Sequence, residues 1–398
     1  MEYVALKDVC KINMGQSPDS SSYNDKKEGI PFYQGNADFG EKHPIPRVWC
    51  NAPTKIAQPE DILMSVRAPI GALNYAQEKC CIGRGLAAIT PDKDKLSLEF
   101  LYWFLRGKNS ELNSKGTGST FKAISKKTLE EIRVPLIDLE KQQKMAQALE
   151  KTYSLIQMRT KQLKELDNLI KARFVELFGD PLINSRGLET KPMTDICDVI
   201  DGDRGKNYPT ADEFSDNGYC LFLNAKNVTT SGFNFETCMF VTKEKDEVLR
   251  KGKLSRGDVV LTTRGTLGNL AFYTDNVPFE HVRINSGMVI LRMKHDVIDE
   301  VFFIEQFKMQ LADIKKKIAS GSAQPQLPIS TMNKIQILIT DIEKQREFAT
   351  FVAAIDKSKL LSGCRLFHSW APENRDKPKH VGVPQRRTKV LRGCRRQQ

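Results

Sequence analysis

No stretch of the 398-residue chain has the apolar length needed to cross a bilayer. The opening residues, Met1 to Cys10, lack the charged-then-apolar pattern of a secretory signal. Cysteine is uninformative in a useful way. There are nine, an odd number, and none stands in a Cys-x-x-Cys arrangement. Cys80 and Cys81 are adjacent and poorly placed to share one metal, and the five histidines are scattered. These absences predict a cytoplasmic protein with reduced thiols, no membrane association and no metal site. Catalytic signatures are missing too. There is no Asp/Asn-Pro-Pro-aromatic motif, which an amino-methyltransferase needs to hold its target amine. In Gly35-Asn-Ala-Asp-Phe-Gly-Glu-Lys42, Glu41 stands where a phosphate loop requires lysine. No serine lies in a nucleophile-elbow context, and Asp201 and Asp203 read as loop acids. Several independent absences favour a binding protein over an enzyme.

Charge is present but unevenly spread. The net charge is +12, yet residues 361–398 hold ten Lys or Arg against two acids, so +8 belongs to this segment and 12 − 8 = +4 to the rest. The body is only mildly basic, and a nucleic-acid reading has to rest on where cations stand.

The most informative feature is repetition. Leu6 to Gly15 recurs as Met193 to Gly202, matching Asp8, Cys10 and Gly15 to Asp195, Cys197 and Gly202. Asp61-Ile-Leu-Met-Ser-Val-Arg67 recurs as Asp258-Val-Val-Leu-Thr-Thr-Arg264, and Gly71 matches Gly268. Gly118-Ser119 matches Gly321-Ser322, and Asp138-Leu-Glu-Lys-Gln142 returns as Asp341-Ile-Glu-Lys-Gln345. The offset drifts from 187 to 203, as loop insertions would make it. Each copy mixes apolar β-like runs with helical stretches, which predicts an α+β module with a mostly antiparallel or irregular sheet.

Between the copies, Leu139 to Leu177 reads as one helix. Leu149, Tyr153, Ile156, Thr160, Leu163, Asp167, Ile170, Phe174 and Leu177 alternate in steps of four and three, a coiled-coil seam. At about 1.5 Å per residue such a helix is roughly 60 Å long, a spacer and docking surface more than a core helix. A second helix is expected from Asp341 to about Leu360, where its pattern stops and an Arg-, Pro- and Gly-rich segment begins. A shifted reading frame after Leu360 or a natural basic disordered tail would each explain the change. The expected organisation is a module at 1–137, a central helix at 138–180, a module at 181–340, a shortened helix at 341–360 and a basic disordered tail at 361–398. The distal seam, from Ile156 to Leu177, is then expected to be exposed for want of a full partner.

Candidate DNA contacts follow from placement. Arg67 and Arg264 each end a buried-looking strand and precede a small-residue turn. There they can reach a phosphate or a guanine edge, or pair with Asp61 and Asp258. Gln34, Asn36 and Lys42 in the first module, and Asn224, Lys226 and Asn227 in the second, sit in polar loops after apolar strands, the residue types that read adenine or contact phosphate. Lys122 lies beside the segment Gly116 to Thr120, whose backbone amides can face a phosphate or which can serve equally as a flexible joint; Gly321 to Gln324 is its counterpart.

The two Asp-Leu/Ile-Glu-Lys-Gln helix starts, the exit Phe174-Val-Glu-Leu-Phe-Gly-Asp-Pro181 and the paired Arg-x-x-x-Gly at 67–71 and 264–268 together resemble the specificity (S) subunit of type I restriction-modification enzymes, over about residues 1–360. The resemblance implies two pseudo-symmetric target recognition domains, each reading half of a bipartite double-stranded DNA target. It implies two long helices paired as an antiparallel coiled coil that docks methyltransferase (M) subunits. Restriction/motor (R) subunits complete such a complex. S-adenosylmethionine, ATP and magnesium belong to the partners, and the S subunit itself binds no cofactor and is not catalytic. A stand-alone DNA-binding or coiled-coil interaction protein is the alternative, and a fused methyltransferase-type restriction protein a third.

Overall fold

A computed structural model describes residues 2–117, 122–319 and 326–368. Most of the two Gly/Ser segments, and the basic segment from 369 onward with its expected disorder, lie outside the described residues. The chain forms two compact units, Met1–Thr160 and Lys161–Gln398.

The first unit is built on a four-stranded antiparallel sheet in the order Cys10–Met14, Leu86–Pro91, Ile62–Ser65, Leu73–Tyr75. Ile62, Leu63 and Met64 are consecutive and all buried, which alternation in a strand allows only if both faces of the sheet are covered. Ile62 and Met64 face Phe100, Leu101 and Leu105 of the helix Leu98–Gly107. Leu63 faces the other way, onto Tyr33 and Ile82 of a second sheet. That sheet holds Ile30–Tyr33 beside Cys80–Ile82 in parallel, with antiparallel neighbours outside them. A two-stranded clip, Glu2–Ala5 with Arg133–Leu136, closes the unit.

The second unit repeats this plan. Cys197–Asp201, Met288–Met293, Val259–Thr262 and Leu270–Phe272 take the same sheet order. Cys220–Leu223 runs parallel to Val282–Ile284, and Glu189–Pro192 with Gln336–Ile339 makes the clip. Val259 and Leu261 face Phe302, Phe303 and Phe307 of the helix Glu300–Ala319, while Val260 faces Leu221 and Ile284. The matched glycines have a steric cause. A Cβ on Gly15 would lie 2.1 Å from the Gly83 carbonyl oxygen, and one on Gly202 2.2 Å from that of Asn285.

The repeated Asp-x-x-x-Gln motif starts each long helix by the same device. Asp138 Oδ1 accepts from the amides of Glu140 and Lys141, an N-cap. Gln142 is fully buried; its Oε1 accepts from the Ser97 amide, and its Nε2 donates to the carbonyls of Lys95 and Ile137. Asp341 caps the amide of Glu343, and buried Gln345 accepts from Asp299 N–H and donates to the carbonyls of Val297 and Thr340. The motif is therefore a clamp between helix start and module.

The central helix spans Leu139–Phe178. Within the first unit, Tyr153 meets Trp103 edge-on at 5.4 Å, and the Arg106 guanidinium stacks 4.2 Å from the Tyr153 ring. Within the second unit, Phe178 meets Phe348 at 5.7 Å and Asp167 pairs with Lys359 at 2.7 Å. Contacts whose numbers run in opposite directions make this helix antiparallel to the one at Ile342–His368.

Two expectations need correction. The C-terminal helix continues to His368, past Leu360. The first proline beyond that point is Pro372, and the cost of Gly363 in a helix, about 1 kcal/mol, does not end one. The distal seam is also not uniformly exposed: Ile170 and Phe174 are buried among Phe178, Phe302 and Phe348. Leu149, Ile156, Leu163 and Leu177 remain exposed and Tyr153 is half-buried.

Candidate nucleic-acid interface

Each module ends its central strand in the same turn. After Ile62–Ser65, the Ser65 hydroxyl donates to the Pro69 carbonyl and accepts from the Ala72 amide, and the Gly71 amide donates to the Ser65 carbonyl. After Val259–Thr262, Thr262 does the same with the Thr266 carbonyl and the Asn269 amide, and the Gly268 amide closes on the Thr262 carbonyl. Gly71 and Gly268 hold φ of +85° and +77°, which other residues adopt only under strain. At the tip of these turns stand Arg67 and Arg264, both exposed. Neither pairs with the acid at the start of its strand. Asp61 accepts from the Gln58 amide and the Thr90 hydroxyl, and Asp258 is gripped by Arg292 at 2.8 Å. Among the described residues neither guanidinium forms an ion pair.

The parallel strand pairs bring a second set of loops to each turn. Ile30–Tyr33 and Cys80–Ile82 leave the sheet at the same end, so Gln34 and the Gly83-Arg-Gly85 bend are neighbours. The Gly85 amide donates to the Gln34 carbonyl, and the Gly85 carbonyl accepts from the Val66 amide. The Ala68 amide donates to the Lys122 carbonyl. Gln34, Arg67 and Lys122, three of the candidates, thus belong to one exposed loop cluster. In the second module the parallel pair Cys220–Leu223 and Val282–Ile284 places Asn224 beside Asn285, and the Gly287 carbonyl accepts from the amides of Thr263 and Arg264. Each unit thus gathers exposed polar and cationic residues at its loop cluster, the residue types that contact a nucleic acid, beside acids that are themselves engaged: Asp38 by the Gln34 and Gly35 amides, Asp201 by Arg204.

The model for the type I restriction modification DNA specificity domain matches residues 1–168 and again residues 186–363. The chain belongs to this family. It is 45% identical over 161 residues to a putative type I restriction enzyme MjaX specificity subunit from Methanocaldococcus jannaschii, an alignment spanning 40% of this chain and 38% of that relative. It is 25% identical over 364 residues to the type I restriction enzyme MjaIX specificity subunit of the same organism, spanning 84% of this chain and 82% of the relative. Among solved structures, the type I restriction-modification system S subunit from M. genitalium shares the fold over 92% of each chain, at 16% identity and a TM-score of 0.52. Among the described residues no helix is long and apolar enough to cross a membrane.

Not every candidate stays at the loop clusters of the two specificity domains. Lys42 is drawn to the central helix, where its Nζ meets Glu150 at 2.6 Å; that hydrogen bond holds its ammonium above the usual lysine range. Asn227 is wholly buried, and this corrects its reading as a base contact. Its Oδ1 accepts from the Asn224 amide and its Nδ2 donates to the carbonyls of Asn234 and Thr237, so its carboxamide builds the loop. Asn224 in turn accepts from the Lys226 amide, while the Lys226 side chain stays exposed. Asn36 opens the short helix Asn36–Asp38 and is half-buried. Sequence reasoning missed two exposed arginines of these clusters, Arg84 and Arg204. The Gly-Arg-Gly setting of Arg84 was a usable signal; Arg204 had none until Ser286 was placed beside it.

Proposed function

We propose that this chain is the non-catalytic DNA-reading subunit of a type I restriction-modification complex. Each specificity domain reads one half of a bipartite double-stranded DNA target. The antiparallel helices dock methyltransferase subunits, and restriction/motor subunits join through them. S-adenosylmethionine, ATP and magnesium are held by those partners. The observation that carries the reading is the duplicated turn, with an exposed Arg67 or Arg264 at its tip, in a chain matched twice by a DNA specificity domain. Arginine on a strand-end turn offers the paired donors that guanine O6 and N7 accept, a contact that discriminates by about 1–3 kcal/mol. The exposed apolar positions Leu149, Ile156 and Leu163 give partner helices a surface of the right chemistry.

The test is to express the chain with a type I methyltransferase subunit and map N6-methyladenine over the host genome. One bipartite motif with a fixed gap is the expected result. Absence of new methylation, with DNA binding that shows no sequence preference, would favour a stand-alone DNA-binding protein instead.

A further inference from the structure

The two specificity domains each carry an exposed arginine in the loop cluster but supply it from opposite loops. Leu86 and Met288 pair with the equivalent strand ends Ser65 and Thr262, so Arg84 is the counterpart of Ser286. Gly15 and Gly202 correspond, so Ser17 is the counterpart of Arg204. In the first domain the Ser17 hydroxyl accepts from the Arg84 amide at 3.3 Å. In the second the Arg204 guanidinium donates to the Ser286 carbonyl at 3.2 Å. The pair is Ser–Arg in one domain and Arg–Ser in the other. Both arginines are exposed; Arg84 directly precedes Gly85, and Arg204 bonds Ser286, which directly precedes Gly287, and the Gly85 and Gly287 carbonyls accept from the Arg67 and Arg264 turns. Asp201 pairs with Arg204 at 3.0 Å and fixes its direction; its counterpart in the first domain is Met14, so Arg84 has no such anchor.

We propose that Arg84 and Arg204 are equivalent DNA backbone contacts, each holding a phosphate of its half-site while Arg67 and Arg264 face the groove. The inference rests on the DNA-reading role proposed above. Arg67 and Arg264 come from the same turn in both domains, the fixed geometry that reading a base requires. Arg84 and Arg204 come from different loops and share charge rather than geometry, and the feature of a duplex that asks for charge alone is the phosphate.

The test uses the full chain, a pool of random-sequence duplexes and a salt titration of binding. Arg84→Ala and Arg204→Ala are each expected to weaken binding several-fold at low salt and to reduce the slope of log K against log salt by about 0.9, one phosphate contact. Arg84→Lys should keep the slope. The double variant Ser17→Arg, Arg84→Ser copies the second domain's arrangement and is expected to restore the slope that Arg84→Ala loses. Unchanged slopes in both alanine variants, with normal thermal midpoints, would overturn the phosphate contact alone. An unsubstituted chain whose binding to the pool shows no salt dependence would overturn the DNA-reading role and this inference with it.

Discussion

Gln142 offers the sharpest test of how the modules hold their helices. Its carboxamide makes three hydrogen bonds of 2.8–2.9 Å, to the Ser97 amide and to the carbonyls of Lys95 and Ile137, and the side chain is fully buried. Gln142→Ala removes all three and leaves their backbone partners without the group that satisfied them. Each such loss costs about 1 kcal/mol or somewhat more, so the start of the helix should be destabilised by about 3 kcal/mol. If helix starts open locally, that is roughly a hundredfold rise in amide exchange, since about 1.4 kcal/mol is a factor of ten. Hydrogen–deuterium exchange read on peptides covering 139–150 measures it, with peptides covering 342–355, which carry the intact Gln345 clamp, as a control in the same molecule. Gln345→Ala should reverse the pattern. A change below about threefold at 139–150 would refute the clamp, because even one unsatisfied buried backbone group costs more than that.

Other consequences follow from the same packing. Phe174 is fully buried against Phe178, Phe302 and Phe348, so Phe174→Ala should cost the second unit about 3–5 kcal/mol in denaturant unfolding, while Leu163→Ala, on the exposed stretch, should cost far less. Asp246 is buried against Arg283 and Lys253; burial opposes its charged form, but the two cations win and hold the carboxyl below the ordinary aspartate range. A depressed folded pKa stabilises above the unfolded value and loses that contribution as pH falls through the folded one. The second unit should therefore weaken below about pH 4, and Asp246→Asn should flatten that limb while costing about 3–5 kcal/mol at neutral pH. Burial pushes the thiols of Cys10, Cys80, Cys197 and Cys220 up to about 12, so iodoacetamide at pH 8 should leave these four unlabelled in the native chain, as read by peptide mass spectrometry.

The duplicated plan was legible because a fold repeated in one chain exposes its fixed positions. Gly15 with Gly202, Asp138 with Asp341 and Gln142 with Gln345 recur where backbone approach or helix capping leaves no alternative. What those residues do was less legible. The Asp-x-x-x-Gln motif marks a helix start in sequence, but the partner of its glutamine lies 45 residues away in the chain. Asn227 and Lys42 look like free loop residues for the same reason: their partners, Asn234, Thr237 and Glu150, are set by tertiary structure. The parallel pairing of Ile30–Tyr33 with Cys80–Ile82 is equally non-local, and it is what carries Arg84 to the cluster. A heptad pattern does not distinguish a free seam from one that enters a core, so in sequence Ile170 and Phe174 look the same as Leu149 and Ile156.

The most direct test of two independent readers is an exchange of one of them. The segment 1–137 is replaced by the first module of a type I specificity subunit of different target, the hybrid is expressed with the methyltransferase subunit, and N6-methyladenine is mapped. The account predicts a motif in which one half changes to the donor's, while the other half stays as it was. A hybrid that methylates a target changed in both halves, or the original target unchanged, would contradict it.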